Sequence, residues 1–193
     1  MKKIIVTAVL LFLSLTVLLG IIYPFLIWGL GHLFYRNQAE GSLVSKDGNI
    51  VGSRLIAQPF TGSRYFHPRP SASDYNASAS GGSNLGPSNR TLIDAVRKRI
   101  EEAKSDDPAP IPLDMVQASA SGLDPEISVA AALWQAPRVA RVRGIDETTL
   151  FAIINRFTEP ALLGFIGEPR VNVLLLNLYQ DERYGRGENN ERK

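Results

Sequence analysis

The sequence predicts an α+β protein: a single N-terminal transmembrane helix followed by one compact exported domain. Three observations carry this. The stretch from Ile4 to Phe34 contains no Lys, Arg, Asp or Glu. Beyond it, short apolar runs around a turn signal are followed by apolar residues at helical spacing, over a length sufficient for one core. Finally, the formal net charge of the 193-residue chain is only +2. Its surplus sits in Lys2, Lys3 and Arg36, which flank the apolar run, and from Asn37 onward acidic residues outnumber basic ones by one. The basic isoelectric point is therefore no sign of nucleic-acid binding. The division is 1–36 for the cytoplasmic N-terminus and the helix, 37–184 for the domain, and 185–193 for a polar tail.

About 20 apolar residues cross a hydrocarbon core ~30 Å thick. The span is placed at 4–25, with Tyr23, Phe25, Trp28, Phe34 and Tyr35 extending to 35 as an aromatic far interface. A cleaved signal peptide has a shorter apolar core and an Ala-x-Ala-like site; Gly20-Ile21-Ile22-Tyr23-Pro24 offers none. Lys2 and Lys3 precede the span, so the positive-inside rule places the N-terminus in the cytoplasm and the domain in the periplasm. Cysteine is absent, which excludes disulfides, thiol nucleophiles, thiolate zinc sites and Fe–S clusters.

The elements follow in order. Asp47-Gly48 between short apolar runs predicts a β-hairpin, with Arg54 to Ala57 extending its second strand. A turn-rich stretch from Pro59 to Pro87 is long for a loop, and Phe60, Tyr65, Phe66 and Tyr75 within it argue for packing. Leu92, Val96, Ile100 and Ala103 mark a helix, capped by Ser88 or Asn89, with Thr91 and Asp94 at capping-box spacing. The run from Ser105 to Pro110 ends it. A second helix runs from its cap at Ser128 to about Arg143, before Gly144, with Pro137 inside. A third starts at Asp146 and presents Leu150, Ile153, Ile154 and Phe157. Val171 to Tyr179 reads as a buried strand, with a helix as the alternative. The tail from Gly185 is polar and frayed.

Catalytic constellations are sparse. The two histidines are His32, at the end of the span, and His67. A Ser-His-Asp triad would have to use His67. There is no Ser-x-x-Lys and no His-Glu-x-x-His, and two scattered histidines do not make a metal site. The stretch Ser80 to Gly86 could cradle an anion ahead of a helix but lacks a P-loop lysine; a tightly turned structural or subunit-contact loop is the simpler reading. Ala-Ser-Ala-Ser-Gly occurs twice, at 77–81 and 118–122.

These segments carry a resemblance. Gly52-Ser53-Arg54-Leu55-Ile56-Ala57-Gln58, Tyr65-Phe66, Arg69-Pro70-Ser71-Ala72, Tyr75-Asn76 and Ala79 to Pro87 form its first half. Ala118 to Pro125, Ile127-Ser128, Gln135, Pro137 to Ala140, Arg143-Gly144, Val171 to Leu174 and Leu176-Asn177 complete it. Together they resemble the C subunit of the bacterial Kdp potassium-transporting ATPase, with Gln117 and Glu126 as departures from the family pattern. The resemblance covers the whole chain. It implies a non-catalytic accessory subunit of an inner-membrane potassium importer, needed for assembly and stabilisation. The implied partners are a channel-like A subunit, an ATP-hydrolysing B subunit and the small F subunit, along with membrane lipid. The family is also described as a catalytic chaperone that raises the B subunit's affinity for ATP, which makes Gln135 the implied nucleotide contact; no cofactor is held firmly. Ser71, Tyr75, Asn76, Gly81, Gly82, Ser83 and Asn84 form the candidate subunit-contact loop. Charge and resemblance conflict at one point: Lys2 and Lys3 place Gln135 outside, and ATP is inside. A membrane-anchored periplasmic enzyme and a scaffold domain stand as alternatives.

Overall fold

A computed structural model describes residues 1–106 and 109–185. The chain divides into two compact units, Met1–Ser53 and Arg54–Lys193.

The first unit is dominated by one apolar helix, Lys2–Phe34, of 33 residues. It comprises α1 (Lys2–Val17), a π-helical turn (Leu18–Ile22) and α2 (Tyr23–Phe34). At ~1.5 Å per residue it is ~50 Å long, more than a bilayer core requires. Pro24 stands at the start of α2 and has no N–H to give. The π turn just before it takes up the displaced register. The hydroxyls of Thr7 and Thr16 donate to the carbonyls of Lys3 and Phe12 at 2.9 and 2.8 Å, which pairs these two polar groups within the helix itself.

After α3 (Arg36–Ala39), β1 (Leu43–Lys46) and β2 (Asn49–Ser53) form the expected antiparallel hairpin. Asp47 (φ 52°) and Gly48 (φ 79°) are both left-handed, as a two-residue type I′ turn requires. The expected extension of the second strand to Ala57 is corrected. β2 stops at Ser53, because the next backbone groups bond elsewhere. The Arg54 carbonyl accepts from the Asn172 side chain (2.9 Å), and the Ala57 N–H donates to Leu123 O (2.9 Å).

The second unit begins with the long loop, which has no helix or strand from Arg54 to Asn89. It then forms α4 (Arg90–Asp106), α5 (Leu113–Val116), β3 (Glu126–Ser128), α6 (Val129–Arg143), α7 (Glu147–Phe157), β4 (Thr158–Glu159), β5 (Arg170–Asn172) and α8 (Val173–Tyr184). The three short strands make an antiparallel sheet in the order β3-β5-β4, with Val171 opposite both Ile127 and Thr158.

The helices keep most of their expected ends. Ser128 caps α6 by accepting from the Ala131 N–H, and Gly144 (φ 65°) closes it in the left-handed conformation that favours glycine. Asp146 caps α7. Leu92, Val96, Ile100 and Ala103 line the half-buried face of α4. Asn89 caps it, one of the two residues expected, with Oδ1 accepting from the Thr91 N–H at 2.9 Å; the capping box of Thr91 and Asp94 is corrected. Thr91 therefore lies inside the helix, and Asp94 pairs with Arg97 at 3.7 Å instead. The helix reaches Asp106, and residues 107–108 of the expected terminator, like the tail beyond Gly185, lie outside the described residues.

The strand expected over 171–179 is corrected as well. Only Arg170–Asn172 is extended, and α8 follows at once. Asn172 decides it: its side chain accepts from the Leu175 N–H at 3.1 Å and starts the helix. The segment is apolar on nearly every face because it is packed on nearly every face, which erases the periodicity that would mark a helix.

The core joins Phe66 of the loop, Ile127 of β3, Ala131, Ala132, Ala136, Val139 and Ala140 of α6, Leu150, Ile153 and Ile154 of α7, and Val171, Val173 and Leu176. The alanine face of α6 lets its neighbours approach closely, and Phe66 fills the remaining space with no exposed surface.

A loop held by amides and guanidinium groups

The loop from Pro59 to Pro87 has no sheet or helix to satisfy its backbone, so its polar groups need other partners where it is buried. Side chains from α6 and α8 supply them over five consecutive residues. The carbonyls of Ser63 and Tyr65 both accept from Arg138, the latter at 3.1 Å. The Arg64 carbonyl accepts from Arg143 Nε at 2.8 Å. The Phe66 carbonyl accepts from Asn177 Nδ2, and its N–H donates to Asn177 Oδ1, each at 2.9 Å. The His67 N–H donates to Gln135 Oε1 at 2.8 Å, and the His67 carbonyl accepts from Gln135 Nε2 at 3.1 Å. Two side-chain amides thus pair with successive residues as a neighbouring strand would.

Gln135 is 1 % exposed. Its oxygen also accepts from Arg138 Nη2 at 2.9 Å, and its nitrogen points at Met115 Sδ at 3.4 Å. Below this pair lies a buried charge cluster. Arg143 Nη2 meets Asp181 Oδ1 at 2.9 Å, and both side chains are almost completely enclosed. The Tyr65 hydroxyl donates to Asp181 Oδ2 at 3.1 Å, and the Arg143 guanidinium lies 5.2 Å from the centre of the Tyr65 ring. Burial, then the Asp181 charge, raises the Tyr65 phenol above its ordinary pKa.

Beyond His67 the loop turns along a cavity of about 380 Å³ whose walls include His67, Ser71, Tyr75, Arg99, Trp134 and Gln135. The structure therefore brings together three of the residues singled out in the sequence: Ser71, Tyr75 and Gln135. Ser71 Oγ organises the turn: it donates to Gly122 O (2.7 Å) and accepts from the N–H groups of Ser73 (3.1 Å) and Tyr75 (2.9 Å). Tyr75, held at φ 57°, donates its hydroxyl to Arg69 O at 3.0 Å. Its burial pushes the phenol up, partly countered by Arg99. The Trp134 indole N–H is buried at this wall without an acceptor among the described residues. His67 Nε2 stands 3.2 Å from the Gly62 carbonyl.

The rest of the candidate contact loop lies apart from this cavity. Asn76, Ser83 and Asn84 are exposed. Gly81 and Gly82 pack on the second copy of the repeated pentapeptide: Gly81 N–H and Ser80 Oγ both donate to Ser121 O, at 2.8 and 3.0 Å. A side chain on Gly82 would come within 2.8 Å of Ala120 O, and one on Gly122 (φ 69°) within 2.7 Å of Gly81 O. The two Ala-Ser-Ala-Ser-Gly segments meet at their C-terminal ends, where small residues permit the approach. Sequence reasoning missed Arg138, Arg143, Asn177 and Asp181 as loop partners. The available signal was their polarity within otherwise apolar helical faces, which in a core means paired groups.

The sequence is similar to known proteins along most of its length. The family model described as KdpC, K+-transporting ATPase, c chain, matches residues 5–182. A potassium-transporting ATPase KdpC subunit from Rhodospirillum rubrum is 52% identical over 182 residues, covering 92% of this chain and 94% of that one. Those from Methylibium petroleiphilum and Janthinobacterium sp. are each 53% identical over 189 residues, covering 95% of this chain and 99% and 100% of theirs. The chain belongs to the KdpC family, the c chain of the K+-transporting ATPase.

Proposed function

We propose that this subunit is non-catalytic, with ATP hydrolysis residing in the B chain, and that it stabilises the assembled potassium importer from the periplasmic side. It crosses the bacterial inner membrane once, N-terminus inside, and binds the channel-like A chain, the B chain and the F chain. It holds no cofactor firmly. The engagement of Gln135 carries this reading. Both ends of its amide are bonded to the His67 backbone, so presenting it to a nucleotide would undo the clamp on the loop. Lys2 and Lys3 ahead of the apolar helix add the second support, since they favour an inside N-terminus and keep the loop away from cytoplasmic ATP. In this reading any effect on the B chain's affinity for ATP passes through assembly.

Purification of the tagged full chain from potassium-starved cells tests it: the A, B and F chains are expected to come along. An alkaline phosphatase fused to Lys193 should be active, and an inactive reporter would reverse the topology. His67→Ala should leave potassium-limited growth within about twofold of wild type, whereas an enzyme using His67 as its base would lose its turnover.

A further inference from the structure

The most exposed apolar feature of the second unit is the connection between β4 and β5. Leu162, Leu163, Phe165 and Ile166 are 64, 75, 77 and 48 % exposed. The segment is nonetheless built. Leu162 and Ile166 exchange two backbone hydrogen bonds, each 2.9 Å, and the Gly164 N–H donates to Ala161 O at 3.0 Å. Leu163 sits at φ 55° ahead of Gly164 at φ 81°. Leucine is disfavoured in the left-handed region, so the turn holds a large side chain outward against its own preference. At the base, Thr158 and Val171 pair across the sheet, and Val171 is buried in the core. Four apolar side chains on a closed turn, anchored to a core strand, have the character of an interface hot spot rather than of a solvated loop.

Charge around the base selects the occupant. Arg170 is spanned by Glu126 at 2.8 Å and Glu159 at 3.2 Å, and Glu159 also meets Arg54 at 3.4 Å. Glu168 adds an exposed carboxylate. The rim thus carries two cations against three carboxylates, and the tip has no Lys, Arg, Trp or Tyr. A loop that enters an anionic bilayer surface needs cations and amphipathic rings at its rim. An uncharged tip ringed by surplus carboxylate suits an apolar cleft with a basic rim.

We infer that the hairpin tip at 162–166 docks into an apolar cleft of another subunit of the potassium-transporting ATPase. This rests on the proposed role in assembly and names the surface that performs it. The absence of cysteine gives a clean probe. Leu163→Cys, labelled with a benzophenone maleimide and irradiated in the assembled membrane complex, should cross-link to one other transporter subunit. Glu101→Cys on the exposed face of α4 is the control. Adducts with lipid only, with a second copy of this chain only, or no more than the control overturns the inference. In parallel, the tagged Leu163→Glu/Phe165→Glu chain should retain at least about tenfold less of the other subunits at an unchanged melting temperature. Equal retention by wild type and variant overturns the docking role alone. A wild-type chain that retains no subunit overturns the proposed function and this inference together.

Discussion

The two loops of the second unit invert the usual relation between composition and burial. The segment Pro59–Pro87 is rich in Ser, Asn, Gly and Pro, yet Phe66 at its centre has no exposed surface. The segment 160–167 is almost wholly apolar, yet Phe165 is 77 % exposed. The difference lies in what the neighbouring helices offer. The first loop meets Gln135, Arg138, Arg143 and Asn177, which take its carbonyls one after another. The second closes on itself through the Leu162–Ile166 bridge and the Gly164 to Ala161 bond. Burial of an irregular segment requires partners for its backbone, and apolar side chains alone do not supply them.

Breaking the support of the first loop should have the largest effect. Arg143→Met removes the cation paired with the enclosed Asp181 carboxylate and the donor to the Arg64 carbonyl; a loss of about 3–5 kcal/mol is expected by urea unfolding of the full chain in detergent. Asn177→Leu leaves both backbone groups of Phe66 unpaired in the core, at a cost of about 2–3 kcal/mol. Gly82→Ala presses a methyl group against Ala120 O. A loss of about 1–2 kcal/mol is expected, with protease cleavage concentrated in the loop.

The sequence made much of this frame legible. The Asp47-Gly48 turn, the caps at Ser128 and Asp146 and the closure at Gly144 are local devices, and each formed where its residues stand. Non-local partnerships were opaque. The step from β5 to α8 is hidden because 171–176 is packed on nearly all sides. The contact of Ser80 and Gly81 with Ser121 and Gly122 was visible only as a repetition, since small residues announce close contact without naming the partner. Gln135 was legible as a notable residue but not as a clamp, because its partner is a backbone 68 positions away.

Two smaller effects sharpen the contrast between the loops. Burial raises the Tyr75 phenol, so the folded chain keeps that proton to higher pH than the unfolded chain. The associated stability is complete below about pH 10 and is lost as pH rises beyond it. Tyr75→Phe should therefore flatten the fall in stability above pH 10, followed by chemical denaturation across that range. Leu163→Glu, at the exposed tip, should change unfolding free energy by less than about 0.5 kcal/mol.

The most direct test of Gln135 as a clamp is an ATP titration of the purified full-length chain by calorimetry, wild type beside Gln135→Ala. No saturable binding is expected at micromolar nucleotide for either protein, while Gln135→Ala lowers the melting temperature. Saturable micromolar binding by the wild type, abolished in Gln135→Ala at an unchanged melting temperature, would contradict it.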